Sequence, residues 1–181
     1  MVSTHLSTAD DLLHLDGKEN HFELIQGELI QVMSPSPKHA MLVANLTSLL
    51  WNQVNSTRIG QVFAGDPMVL VDRDPDTVVG PDIAVVSQHR LPIEDSAFMT
   101  LPPDWVIEVA SPGNTRREVE RKIGIYLSYG VKSVWVVYPR ERRVVLHASD
   151  TDPQLFGDNE TITGIEPFAS VSIPVSKIFG D

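Results

Sequence analysis

A mixed β-sheet with helices packed on it, an α/β fold, is what this chain predicts, and three observations carry the prediction. Residues 78–86 and 105–110 form apolar runs whose near-continuous hydrophobicity is that of strands buried on both faces. Residues 105–138 read as strand, helix, strand, the pattern of a parallel crossover. Gln26-Gly27 separates two short strand-like segments as a two-residue hairpin turn, so antiparallel pairs share the sheet.

In chain order, a first helix is expected at about 8–16, with Thr8 or Ser7 as cap and Leu12, Leu13 and Leu15 as its apolar side. Strands at 21–25 and 28–33 flank the Gln26-Gly27 turn. Ser36 caps the next helix, with Pro37 at the first helical position, where its missing N–H removes no bond. Leu42, Leu46, Leu49 and Leu50 give that helix an inward stripe to about residue 55. Further strands are expected at 61–64, 67–71, 82–87 and 105–110. Thr115-Arg116-Arg117-Glu118 has the form of a capping box and opens a second long helix. Val119, Ile123, Tyr126 and Leu127 are its apolar face, and Gly130 is its stop. A strand pair at 131–138 and 142–147 follows, with short strands near 160–163 and 171–175.

The 181 residues fit one domain, 1–181, with a core of about 20–147 and a turn-rich acidic C-terminal extension at 150–181. A hydrophobic content of 42% against 21% charged residues argues against disorder. No apolar stretch approaches the ~20 residues a membrane helix needs, and the opening segment lacks the basic start and apolar run of a secretory signal. The absence of cysteine excludes a disulfide framework, a thiolate nucleophile and a cysteine zinc site. The cytoplasm is the expected compartment. A net charge of −10 counts against nucleic acid as a partner, but the deficit is uneven. Six acids against Lys177 leave residues 150–181 at −5, half of the total, while Arg116, Arg117, Arg121 and Lys122 share one expected helix. A local basic patch on an acidic body is compatible with phosphate contacts.

The chemistry begins with Glu108. Every other residue of Trp105-Val106-Ile107-Glu108-Val109-Ala110 suits a buried strand, and an unpaired ionised carboxylate there is costly without a metal, a cation or a proton. Asp82 stands at the head of the other apolar run. Alternation puts Asp104, Val106, Glu108 and Ala110 on one face and Trp105, Ile107 and Val109 on the other. Lys122 sits at the edge of the helix stripe, one turn before Tyr126, where its ammonium could fold towards Glu108. Two acids on neighbouring strands suffice to hold Mg²⁺, which keeps several waters and takes oxygen ligands. With a lysine beside them, they suggest a metal-dependent phosphodiesterase site. A structural Glu108–Lys122 ion pair has the same sequence pattern, so both readings stand at this point.

Five ordered motifs narrow the choice: Phe22-Glu23-Leu24-Ile25-Gln26-Gly27-Glu28-Leu29, Ser34-Pro35-Ser36-Pro37-Lys38-His39, Gly80-Pro81-Asp82-Ile83-Ala84-Val85-Val86, Asp104–Pro112 around Glu108, and Lys122-Ile123-Gly124-Ile125-Tyr126. Together, over about residues 20–147, they resemble the bacterial putative restriction endonuclease family of the PD-(D/E)xK nuclease superfamily. The resemblance implies a restriction-endonuclease-like mixed β-sheet flanked by helices, with a Mg²⁺ site (Mn²⁺ as a substitute) at Asp82 and Glu108. It implies DNA as substrate and a homodimer as the assembly. The superfamily lysine two residues after the glutamate is Ala110 here, and the resemblance assigns that role to Lys122. Glu23 matches a family acid near the first hairpin and is a candidate further ligand, directly or through water. His39, Arg116 and Arg117 are the candidate nucleic-acid contacts. The alternatives are a nuclease fold that has lost activity and serves as a binding protein, or an acid-pair hydrolase on another substrate.

Other residues read more plainly. Alternation puts Glu28 nearer solvent than Glu23, and Trp51, Trp105 and Trp135 are expected in the core. Asp72, Asp74 and Asp76 alternate like a calcium loop but lack its glycine and terminal glutamate, so a polar hairpin tip is expected. There is no Gly-rich phosphate loop and no Gly-x-Ser-x-Gly elbow.

Overall fold

The two apolar runs end side by side in one sheet, and that pairing positions everything else. The computed structural model describes residues 6–15, 21–111 and 113–180. Its helices are α1 (Ala9–Leu15), α2 (Pro37–Val54), α3 (Arg116–Tyr129) and α4 (Val175–Ile178). The strands are β1 (His21–Ile25), β2 (Glu28–Val32), β3 (Gly60–Ala64), β4 (Val69–Asp72), β5 (Thr77–Val79), β6 (Ile83–Ser87), β7 (Trp105–Val109), β8 (Ser133–Tyr138), β9 (Arg143–Ala148), β10 (Gln154–Phe156), β11 (Thr161–Thr163) and β12 (Ser172–Pro174).

Six strands form the main sheet in the order β10-β9-β8-β7-β6-β3. Only β7 and β8 run parallel, joined by α3 as the crossover, so the sheet is mixed as expected. A second, antiparallel sheet has the order β2-β1-β5-β4, and β11 pairs with β12. Alternation along the central strands assigns their faces. Trp105, Ile107 and Val109 of β7 and Trp135 and Val137 of β8 pack against Leu42, Leu46, Leu50 and Val54 of α2. Val106, Val134 and Val136 face the other way, onto Ile123 and Tyr126 of α3 and Val79 of the second sheet.

Local chemistry explains the element ends. Gln26 and Gly27 have φ of 53° and 76°, the two positive values that a type I′ hairpin turn requires. Ser36 accepts a hydrogen bond from the His39 N–H at 3.2 Å and caps α2 above Pro37. The Thr8 hydroxyl accepts from the Asp11 N–H at 3.2 Å and caps α1; residue 16, its expected end, lies outside the described residues. At α3 the capping box is complete, and Gly130 stops the helix at φ 99°, in the left-handed region that suits glycine. Thr115→Ala is expected to cost about 1 kcal/mol of stability. Thermal unfolding reads it, and an unchanged midpoint would show the cap to be dispensable.

The strand expected at 82–87 is β6, which pairs with β3 and β7 in the first sheet. The start of the apolar run, Val78-Val79, belongs to an unexpected strand, β5, which pairs with β1 and β4 in the second. Gly80-Pro81 is where the chain changes sheets, because a proline cannot donate to a central ladder. Two expectations are corrected. The residues after 150 supply Ile162, Phe168, Val171, Ile173, Val175 and Ile178 to the α2-side core, and β10 adds an edge strand to the main sheet. Trp51 is 49% exposed rather than buried. The Asp72–Asp76 segment is a polar hairpin tip, tied down by the bond from the Ala9 N–H to Asp76 Oδ2 at 2.7 Å.

Candidate active site where the two sheets meet

Antiparallel register pairs Ile83 with Ile107 and Ala84 with Val106, so one further step sets Asp82 across from Glu108. The sheet switch at Gly80-Pro81 holds Asp82 at the strand end. Its Oδ2 accepts from the Val109 N–H at 2.6 Å, which ties the aspartate to the residue next to Glu108. Its Oδ1 lies 3.1 Å from Nε2 of His39, near the start of α2. That bond, with the Asp82 charge, holds the His39 imidazole above the usual histidine value despite burial.

Lys122 reaches this point from α3. Its ammonium lies 2.7 Å from Glu108 Oε1 and 2.9 Å from Glu23 Oε1, and donates to the Gly80 carbonyl at 3.1 Å. Three donors therefore meet three acceptors, from both sheets and the segment linking them. The Gly80 N–H closes the arrangement by donating to Glu23 Oε1 at 3.0 Å. Burial alone would lower the Lys122 pKa, but the two glutamate charges outweigh it and hold the ammonium protonated, above the ordinary lysine value. A lysine so placed is a fixed cation, not a general base.

Glu108 Oε1 also accepts from the Tyr126 hydroxyl at 2.6 Å. Burial pushes the Glu108 carboxyl up to about 7 against the pull of Lys122, with Asp82 and Glu23 adding negative charge. Tyr126 is pushed up as well, first by burial and then by Glu108. Asp66, in the turn after β3 at φ 56°, is a further acid beside this group; burial and then the Asp82 charge raise its carboxyl.

Of the residues expected from sequence, Asp82, Glu108, Lys122, Glu23 and His39 come together through these contacts. Arg117 stands apart at the exposed start of α3, whereas Arg116, paired with its neighbour Glu120 at 2.7 Å, is not in contact with the acids but lines the cleft next to them. A cleft of about 770 Å³ opens beside the group, and Lys38, Arg116, Arg140 and Arg143 line it against Glu120 and Glu141. The lining is therefore net cationic on a chain of net charge −10. Tyr126, Asp66, Lys38, Arg140 and Arg143 are the members that sequence reasoning missed. The Lys122-x-x-x-Tyr126 spacing, one helical turn, was a signal for the first.

Among the described residues, no cluster of three or more His, Cys, Asp or Glu side chains is set to hold a metal by protein ligands alone. A closed zinc-type centre is thereby disfavoured, whereas Mg²⁺ needs only one or two carboxylates and keeps its waters. Asp82 Oδ2 and Glu108 Oε1 are spent on holding the two acids in place. Glu108 Oε2 faces a cation site directly, and Asp82 Oδ1, which His39 Nε2 holds at 3.1 Å, joins it when that imidazole gives way or shares the oxygen. This donor set fits a hard, partly hydrated ion.

The architecture defines a class of nuclease-like α/β protein. It is shared, at a TM-score of 0.83 and 26% identity, with the crystal structure of a putative nuclease belonging to DUF820 from Anabaena variabilis ATCC 29413; the match covers 95% of this chain and 97% of that one. The Uma2 family model, described as "Putative restriction endonuclease", matches residues 9–176, and the chain belongs to that family. An uncharacterized protein of Synechocystis sp., sll1609, is 25% identical over 127 residues, which cover 70% of this chain and 71% of that protein. Among the described residues, no helix is long and apolar enough to cross a membrane.

Proposed function

We propose that this protein is a Mg²⁺-dependent endonuclease that hydrolyses phosphodiester bonds in DNA, with Mn²⁺ as a working substitute. The observation that supports it most is the opposition of Asp82 and Glu108 on paired strand ends, with Lys122 wedged against Glu108 beside a cationic cleft. Asp82 and Glu108 hold the metal, which when bound polarises the phosphoryl oxygen and makes a water more acidic. Glu23 lies behind Lys122 and fixes its ammonium. Lys122 and Tyr126 orient Glu108 by binding Oε1, which leaves Oε2 directed by its partners rather than free to rotate. The Lys122 charge also opposes the negative charge that builds on phosphorus oxygens as the bond breaks. Lys38, Arg140 and Arg143 hold the phosphates on either side of the reacting one.

The test is nicking of supercoiled plasmid in Mg²⁺ or Mn²⁺ against a chelator. Nicks are expected only with the divalent ion. Asp82→Asn, losing about 3 kcal/mol of charge stabilisation, is expected to slow nicking on the order of 100-fold. A second reading, a DNA-binding protein that kept the fold and lost catalysis, is favoured by Ala110 and by the full occupation of the Lys122 donors. Metal-dependent DNA retention without a single nick would select it.

A further inference from the structure

A separate cleft of about 640 Å³ opens on the other side of His39, between α2 and the turn that follows β3. His39 and Asp82 form one end of its lining, and Trp51 belongs to it as well. Trp51 is 49% exposed, whereas Trp105 and Trp135 are 2% and 0% exposed. On the helix face that carries Trp51, the neighbours are Ser48, Thr47 and Ala44, with Ala40 beyond them, so no large side chain from that face covers the ring. The opposite wall is Ala64, Gly65 and Asp66, and it is low at Gly65, where an added Cβ would meet nothing within 4 Å. Exposed Ser48 and Asn52 offer hydrogen-bonding groups beside the aromatic plane.

The two clefts share His39 and differ in charge. No lysine or arginine lines the Trp51 cleft, while four line the other. A nucleic-acid strand drawn past Asp82 and Glu108 would leave its phosphates on the cationic side. The charged members of the Trp51 cleft, Asp66, Asp82 and His39, belong to the acid cluster, so a phosphate is disfavoured there. The uncharged part of a nucleotide, its base, matches the Trp51 end, where Ala44, Ser48 and Asn52 surround an open indole. Trp51 is twelve residues along α2 from His39, about 18 Å at the helical rise of 1.5 Å per residue. A stacked strand covers that length in about five nucleotides at 3.4 Å each, and a stretched strand in fewer. Bases stacked inside a duplex cannot lie on a side chain in a pocket, whereas unpaired bases can.

Resting on the nuclease reading above, we propose that this cleft is a nucleobase site for a single-stranded segment, with one unpaired base stacked on Trp51 a few nucleotides from the bond that is cut. The substrate class is then a strand with an unpaired stretch, not uninterrupted duplex.

Intrinsic fluorescence tests this without relying on turnover, because Trp51 is the exposed one of the three tryptophans. The full chain in Ca²⁺ is titrated with a short single-stranded oligonucleotide, an abasic strand of the same length, and a duplex. The single strand is expected to quench Trp51 emission and to bind more tightly than the abasic strand. Trp51→Ala is expected to weaken single-strand binding about 5- to 150-fold, with Trp51→Phe retaining most of the affinity. Abasic-strand affinity should be unaffected by either variant. Single-strand binding with unchanged emission, or equal binding by Trp51→Ala, overturns the base site while leaving the nuclease reading intact. Failure of all three probes to bind overturns both. If Trp51→Ala instead turns a dimer into a monomer and leaves oligonucleotide binding unchanged, the face belongs to a second copy of this chain and the base site is likewise overturned.

Discussion

Lys122→Met is expected to lower metal-dependent plasmid nicking on the order of 10³-fold and to destabilise the fold by about 3 kcal/mol. Both effects come from one geometry. Among the described residues, the ammonium is the one cation paired with both Glu23 and Glu108, and it binds Oε1 of each. Removing it leaves two partly or wholly buried carboxylates facing one another across an apolar gap. Glu108, already raised to about 7 by burial, relieves part of this by taking a proton, which keeps the stability loss near the low end for a broken buried pair. The same proton removes the charge that a divalent ion needs. Lys122→Arg is not expected to rescue, because a planar guanidinium cannot point three donors at Glu23, Glu108 and the Gly80 carbonyl as an ammonium does. Because Glu23, Glu108 and the Gly80 carbonyl take up its three donors, Lys122 acts through its charge and through Glu108 rather than by gripping the ground-state substrate, so kcat should fall with KM nearly unchanged. Full activity in a folded Lys122→Met protein would remove the lysine from the mechanism.

How legible this site was depended on how abnormal each residue was in its local pattern. Glu108 and Asp82 stood out because a charge in an apolar strand needs a partner. Lys122 could be placed because a helix edge has a defined direction once the strand before it is known. Tyr126 could not, because a tyrosine in an apolar stripe packs the same way whether or not its hydroxyl finds Glu108; here it does both. Asp66 was hidden in a turn, where an aspartate at positive φ is ordinary. Arg140 and Arg143 lie more than thirty residues beyond Glu108 and reach the same cleft only because β8 runs parallel to β7 and β9 folds back beside it. In the fold, the parallel crossover, both long helices and their caps followed from periodicity and capping residues. The strand at 82–87 was legible and Gly80-Pro81 marks its start, but the separate strand β5 before it, and with it two sheets meeting at Asp82, is a long-range choice that no local pattern encodes. The residues after 150 read as an acidic, turn-rich tail because their apolar residues are spaced too sparsely to suggest that they close the α2-side core.

The opposite signature is expected from Asp104→Ala: activity largely kept at low temperature, stability strongly reduced. Asp104 is 1% exposed and holds three chain segments together. Its Oδ2 accepts from the Ser87 N–H at 2.9 Å and the Ser87 hydroxyl at 2.8 Å, and lies 3.2 Å from Arg90 Nη1; Lys132 Nζ stands 3.2 Å from Oδ1. Alanine would leave the Ser87 N–H buried without that acceptor and two cations without their anion, for a loss of about 3 kcal/mol at neutral pH. Burial pushes the Asp104 carboxyl up, but the Ser87, Lys132 and Arg90 contacts outweigh it and hold the carboxyl below the usual aspartate value. A depressed folded-state value means that the carboxylate stabilises the fold at every pH above the unfolded value of about 3.9, and that this contribution is lost as pH falls through the folded value. The gap in unfolding free energy between wild type and Asp104→Ala should therefore be flat from about pH 5 to 8 and shrink below about pH 4. Urea unfolding across that range measures it, and a gap unchanged into strong acid would mean that the ionised carboxylate is not what joins β6, β7 and β8. Because Asp104 sits immediately before the strand that carries Glu108, its loss should also show as earlier thermal inactivation of nicking, with the rate at low temperature and its metal dependence left as in wild type.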